Sequence, residues 1–179
     1  MMKALAAALL LLVAACGQGK AIFNVDVYSF MAGSGKDRIP YSIAPANSAS
    51  ASTYQKISLP PGFGKSIVDS VRITTGSANL VNASGTGTIG FELFFASDSA
   101  STNSAAPALS IPPTPVNGPG TFPVTITGDL SSTVNGLFAK DTVWMKITAT
   151  GTNTGGTLLQ GEGVLTALVI RVVLEDKIF

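Results

Sequence analysis

Histidine is absent from all 179 residues. That removes Ser-His-Asp and Cys-His nucleophilic machinery, which needs an imidazole to take and return the proton. It also removes histidine-based zinc, copper or iron sites. Cysteine occurs once, at Cys16, so the chain can form no internal disulfide, and the core must hold the fold without covalent staples. Charge is scarce as well: Asp, Glu, Lys and Arg make up 12% of the chain, against about 25% in ordinary soluble domains. The surface must therefore be largely Ser, Thr, Asn and Gly. The acids stand singly, at Asp26, Asp37, Asp69, Glu92, Asp98, Asp129 and Asp141 among others. No paired-carboxylate arrangement of the kind used in glycoside hydrolysis is apparent, and no Asp-x-Asp-x-Asp-Gly calcium loop appears. No metal, cofactor or catalytic residue is expected.

What is present begins with "MMKALAAALLLLVAACGQGK". Lys3 supplies a positive start, Ala4 to Val13 is an apolar run, and small residues follow. That layout reads as a secretory signal. The run is too short for a membrane span, which needs about 20 apolar residues. Val13-Ala14-Ala15-Cys16 resembles the lipobox of bacterial lipoproteins. The resemblance implies lipidation of the Cys16 thiol, cleavage before it and acylation of the new amine. Two or more acyl chains anchor stably where one does so only marginally. Gly17 rather than aspartate after the cysteine resembles the outer-membrane sorting signal of diderm bacteria. The expected organisation is a signal peptide over 1–15, a lipidated Cys16 with a short tether over 16–20, and one domain over 21–179.

Loss of Lys3 with the signal leaves ten basic residues facing ten acidic ones. So neutral a body carries no electrostatic footprint for nucleic acid. Along that body the apolar period is two. Phe23, Val25 and Val27 alternate with polar neighbours. So do Ile57 and Leu59; Ile67, Val71 and Ile73; and Ile89, Phe91, Leu93 and Phe95. Phe122, Val124 and Ile126 share a face, with Pro123 marking an edge or a strand start. Val143, Met145 and Ile147 oppose Trp144, Lys146 and Thr148. The last strand puts Val164, Leu168, Ile170, Val172 and Leu174 on one face. These patterns predict an all-β fold: a single antiparallel sandwich of about seven to nine strands, Ig-like or jelly-roll-like. The last two strands are expected to form a hairpin around "GTNTGG", and Ser131 to Phe138 a short helix.

Two segments read as loops: 44–53, small and polar, and 97–120, which holds five of the ten prolines. A connection that long is usually functional or disordered. The last strand is apolar on its second face too, at Leu165, Ala167, Val169 and Val173. Two-sided strands are central and covered, either by a long loop or by a partner chain. The tether Gly17–Lys20 reaches about 14 Å when extended, which holds the domain against the membrane.

Several motifs read as structure. "GFGKS" at 62–66 and "GSGKD" at 33–37 lack the glycine a phosphate loop requires, at Leu59 and Phe30 respectively, and read as turns. Asp98, Asp129 and Asp141 sit where aspartate caps backbone. Asn82-Ala83-Ser84 matches a glycosylation sequon. Trp144 and Lys146, joined by Tyr28 and Tyr54, are the candidate contacts for a ligand or partner, since an exposed tryptophan can stack on a sugar or anchor an interface. The sequence thus points first to a non-catalytic, membrane-anchored envelope lipoprotein. It would act as a structural or accessory subunit, held to lipid through acylated Cys16 and meeting an envelope partner or itself through the last strand. The alternative is a carbohydrate or small-ligand binding module using exposed aromatics.

Overall fold

The computed structural model describes residues 19–59 and 67–176. Ten strands and two helices follow one another. They are β1 (Gly19–Asp26), α1 (Val27–Ala32), β2 (Arg38–Ile43), β3 (Ser48–Ser58), β4 (Ile67–Ser84), β5 (Thr86–Ala96), β6 (Leu109–Asn117), β7 (Gly120–Thr125), β8 (Gly128–Asp129), α2 (Ser131–Phe138), β9 (Thr142–Asn153) and β10 (Leu159–Asp176). The first sheet runs β1-β10-β4-β7, with β2 also on β10 and β8 on β4. The second runs β3-β9-β5-β6. Every pairing is antiparallel. Setting the short β2 and β8 aside, the first long strand pairs with the last, the second with the second last, and so inward to β5 and β6. A long hairpin rolled over itself produces that order, and it is the jelly-roll form of the sandwich.

The inner faces meet in one core. Ile89, Leu93, Val143, Met145, Leu168, Ile170 and Val172 are almost fully buried, as the period-two reading places all seven. Leu168, Ile170 and Val172 come from β10, which lies between β1 and β4 and is central. Helix α2 spans Ser131–Phe138 as expected and closes one end with Val134 and Phe138. Phe138 is fully buried and sits 5.8 Å from Phe95, ring centre to ring centre. The cavity lined by Met31, Ile39, Phe91, Ile147 and Leu168 measures about 20 Å³, room for one water at most.

Five expectations are corrected. The 97–120 segment is no single loop: β6 occupies Leu109–Asn117 and pairs with β5, leaving 97–108 as the connection. Pro112, Pro113 and Pro115 are tolerated because β6 is an edge, where a missing N–H costs the sheet nothing. Most of 44–53 belongs to β3. Its alternation is invisible because β3 is also an edge, exposed over Ser48–Ser50. Strand β1 ends at Asp26, whose carboxylate accepts from the Ser29 amide (3.2 Å) and hydroxyl (2.5 Å) and so starts α1. Strands β9 and β10 make no hairpin, since residues 154–158 carry the chain from one sheet to the other. Finally, β-bulges reset the faces. One at Thr166 turns Leu165 inward in place of Val164, and one at Asp69 leaves Val68 inside and Ile67 47% exposed.

Candidate functional site

Residues 97–108 lie on the outer face of the second sheet. The segment carries one 3₁₀ turn, Ser101–Asn103. Asp98 starts it, accepting from the Ser101 amide at 2.8 Å and hydroxyl at 2.7 Å. Those bonds hold the Asp98 carboxyl below the usual carboxylate range. Thr102 is fully buried and donates to the Ser99 carbonyl at 2.6 Å. Asn103 accepts from the Tyr54 hydroxyl at 2.9 Å, which ties the segment to β3.

The strands bring three side chains into a row at this place. Tyr54 of β3 is opposite Lys146 of β9, and Lys146 is opposite Phe94 of β5. The Lys146 ammonium stands 4.0 Å from the centre of the Phe94 ring, a cation–π contact. Lys146 is 8% exposed and Phe94 equally buried. One position along, Trp144 lies between Lys56 and Ala96 and is half-buried. Of the sequence candidates, then, Trp144, Lys146 and Tyr54 come together. Tyr28 does not join that row. It sits on α1, partly buried and packed on the core. Cys16 lies outside the described residues, as does "GFGKS". Phe94 is the member the sequence reading missed. It stood out of register with the inward Phe95, and only the cross-strand pairing shows what it serves.

Farther along the same face the sheet is hydroxyl-lined. Ser48 bonds Thr152 and Ser52 bonds Thr148, each at 2.9 Å. A groove of about 490 Å³ runs between Thr88, Gly90, Glu92, Ser110, Pro113 and Thr150. The other motifs resolve into structure. "GSGKD" is the turn after α1, with Gly35 at φ 67°, a conformation glycine alone adopts freely. Asp129 accepts from the Ser131 amide at 2.9 Å, and with Arg72 beside it the carboxyl is held below its ordinary range, first by Ser131. Asn82 is 3% exposed. Its amide donates to the carbonyls of Gly85 (3.1 Å) and Gly118 (2.8 Å) and its oxygen accepts from Tyr41 at 3.0 Å. Both amide hydrogens are engaged, so the sequon is structural.

The long segment does not cover β10, as one reading of that two-sided strand required. On the outer face of β10, Ala167, Val169 and Val173 are half-buried among their neighbours. Ile22 of β1, opposite Val173, is 60% exposed.

No family model matches the sequence, and no curated protein matches it. Among solved structures the chain is similar to one from the infectious bursal disease virus Gx strain, at TM-score 0.41 and 9% identity, over 90% of this chain and 37% of that one. A chain of the T13 infectious bursal disease viral particle gives TM-score 0.40 and 7% identity, over 88% and 35%. This chain thus spans little more than a third of the length of either. At these TM-scores the likeness carries no argument.

Proposed function

We propose that the chain is an extracytoplasmic lipoprotein of the bacterial envelope, anchored through an acylated Cys16 and acting as a non-catalytic structural or accessory subunit. The observation that carries this is the spacing between the lipobox and the fold. Strand β1 begins at Gly19, so only Gly17 and Gln18 separate it from Cys16, a reach of roughly 10 Å. A body held that close works at the membrane rather than ranging from it. In a diderm organism Gly17 directs it to the outer membrane. The strip formed by Ile22, Val169 and Val173 on the first sheet is the surface offered to an envelope partner. The half-burial of Trp144 and Tyr54, with the Tyr54 hydroxyl tied to Asn103, speaks for this reading over a sugar-binding module built on exposed aromatics.

Metabolic labelling with an alkyne fatty acid, followed by membrane fractionation, tests the anchor. The wild type is expected to carry label and pellet with membranes, and Cys16→Ser to lose label and appear in the soluble fraction. An unlabelled wild type would sink the proposal. Native size in mild detergent then tests the accessory role. A large co-migrating complex supports it. A lone species that binds a glycan array, and stops binding on Trp144→Ala, would replace it with the binding-module reading.

A further inference from the structure

A sandwich of two open sheets has exposed edges, and edges are the places where chains pair with other chains unless something blocks them. Most edges of this molecule are blocked. Strand β6 carries Pro112, Pro113 and Pro115, β7 carries Pro123, and β2 carries Pro40 beside Arg38. Strand β1 has eight residues and a charge near each end, at Lys20 and Asp26. Strand β3 carries the fewest of these devices. It runs eleven residues with no proline, no glycine and Lys56 as its single charge.

The direction of its free groups can be worked out. Asn153 donates to the Asn47 carbonyl at 2.9 Å, and Leu59 donates to the Asp141 carbonyl at 2.8 Å. Odd-numbered residues therefore face β9, because the groups of successive residues alternate in an antiparallel ladder. The N–H and C=O of Ser48, Ser50, Ser52 and Tyr54 point to the open edge. The next even carbonyl, that of Lys56, is met by the Gln55 amide at 2.9 Å, which ends the open stretch there.

We propose that β3 pairs antiparallel with β3 of a second copy, about a two-fold axis at Ser52, to make one eight-stranded sheet. The strand is complementary to itself in that register. Its first half is small and its second half large, so Ser50 meets Tyr54 on either side of the axis, and the two Lys56 lie at opposite ends, beyond the paired stretch. The Tyr54 hydroxyl is held by Asn103, which keeps its ring over the sheet. On the inner side, β2 and β3 leave a cleft of about 180 Å³ lined by Tyr41, Ala49, Ala51 and Ile89. In the same register the partner's Thr53 falls beside Ala51, while Gln55 stays tied to Ser34 and the Lys56 carbonyl of its own chain. Such a contact is isologous and closes at two copies.

The test uses the full chain carrying Cys16→Ser, which frees it from any lipid anchor and removes the other thiol, so its outcome does not depend on the anchoring proposal. Light scattering across a wide concentration range is expected to show a monomer–dimer equilibrium. Ser52→Pro removes the edge-directed N–H, together with the exposed hydroxyl bond to Thr148, and should raise the dimer dissociation constant by roughly tenfold or more. Ser52→Lys opposes two like charges at the axis and should do the same, while both variants keep the wild-type circular dichroism and Trp144 emission. Ser52→Cys should cross-link to a dimer under mild oxidation, since facing residues lie about 5.5 Å apart between Cα atoms. A chain that stays monomeric and does not cross-link through position 52 overturns the proposal. So does a dimer that Ser52→Pro and Ser52→Lys leave unchanged.

Discussion

The two sheets share a core and differ in what they do with the little charge available. Each ion pair found among the described residues lies on the first sheet: Lys20 with Asp69 and Glu175, Arg38 with Glu162, and Arg72 with Asp129. The second sheet is knit by hydroxyls, through Ser48 with Thr152, Ser52 with Thr148 and Thr86 with Asn117. Its inner strand β9 holds a cation, Lys146, facing an aromatic ring rather than an acid. The lesson is that a charge-poor chain can gather its ion pairs, and with them its response to salt, on one surface while knitting the other with hydroxyls.

Four changes probe that contrast. The largest removes what the sheets share. Phe138→Ala empties the packing between α2 and Phe95 and should cost about 3–5 kcal/mol. Denaturation followed by Trp144 emission and by circular dichroism should shift together. Separate transitions would show that the sheets melt independently. The next acts on the first sheet through pH. Burial raises Tyr41 from an ordinary 10 to about 12, because the neutral phenol is favoured inside. Stability from this source is intact below pH 10 and is lost as pH rises toward 12. The loss is roughly 2–3 kcal/mol. Tyr41→Phe should flatten that alkaline limb, and an unchanged limb would place the titration elsewhere.

Smaller effects follow on the outer surfaces. Lys146→Met removes the cation from Phe94 and should cost about 0.5–2 kcal/mol, with little change between low and high salt because the site is buried. Arg72→Ala should cost less than about 1 kcal/mol, since its pair with Asp129 is exposed. That small loss should disappear in molar salt. A Lys146 effect that salt erases, or an Arg72 effect that salt leaves intact, would break the contrast between the sheets.

How much of this was legible beforehand depends on where a residue sits. The inner faces of β5 and β9 could be read because burial on one side imposes period two on Ile89, Phe91, Leu93 and Phe95, and on Val143, Met145 and Ile147. The first half of β3 could not, because Ser48 to Ser50 are exposed along an edge and hydrophobicity carries no signal there, whereas its second half showed through Ile57. Strand β6 was hidden by its prolines, which mark an edge and a loop alike. The bulges at Asp69 and Thr166 move single residues across the sheet, and nothing in "LTALVI" records the step. The candidate cluster was half legible. Trp144 and Lys146 share a strand face by parity, and Tyr54 was proposed with them. Phe94 and the covering turn at Ser101–Asn103 reach them only through pairings distant in sequence.

The placement of β10 also sets the order in which the molecule can be made. It leaves the ribosome or an export channel after the other nine strands described, yet it separates β1 and β2 from β4 in the first sheet. Until it arrives, β1, β2 and β4 have no common neighbour. Pairing Gly19 with Asp176 closes almost the whole chain into one loop. Topologies rich in such distant pairings fold slowly, because the loop entropy falls due before the contacts form. The second sheet is different, since β3, β5, β6 and β9 are all present before β10. A chain stalled or cut short of residue 159 would therefore carry a complete second sheet beside an unassembled first one, with its inner apolar face open to chaperones or to aggregation.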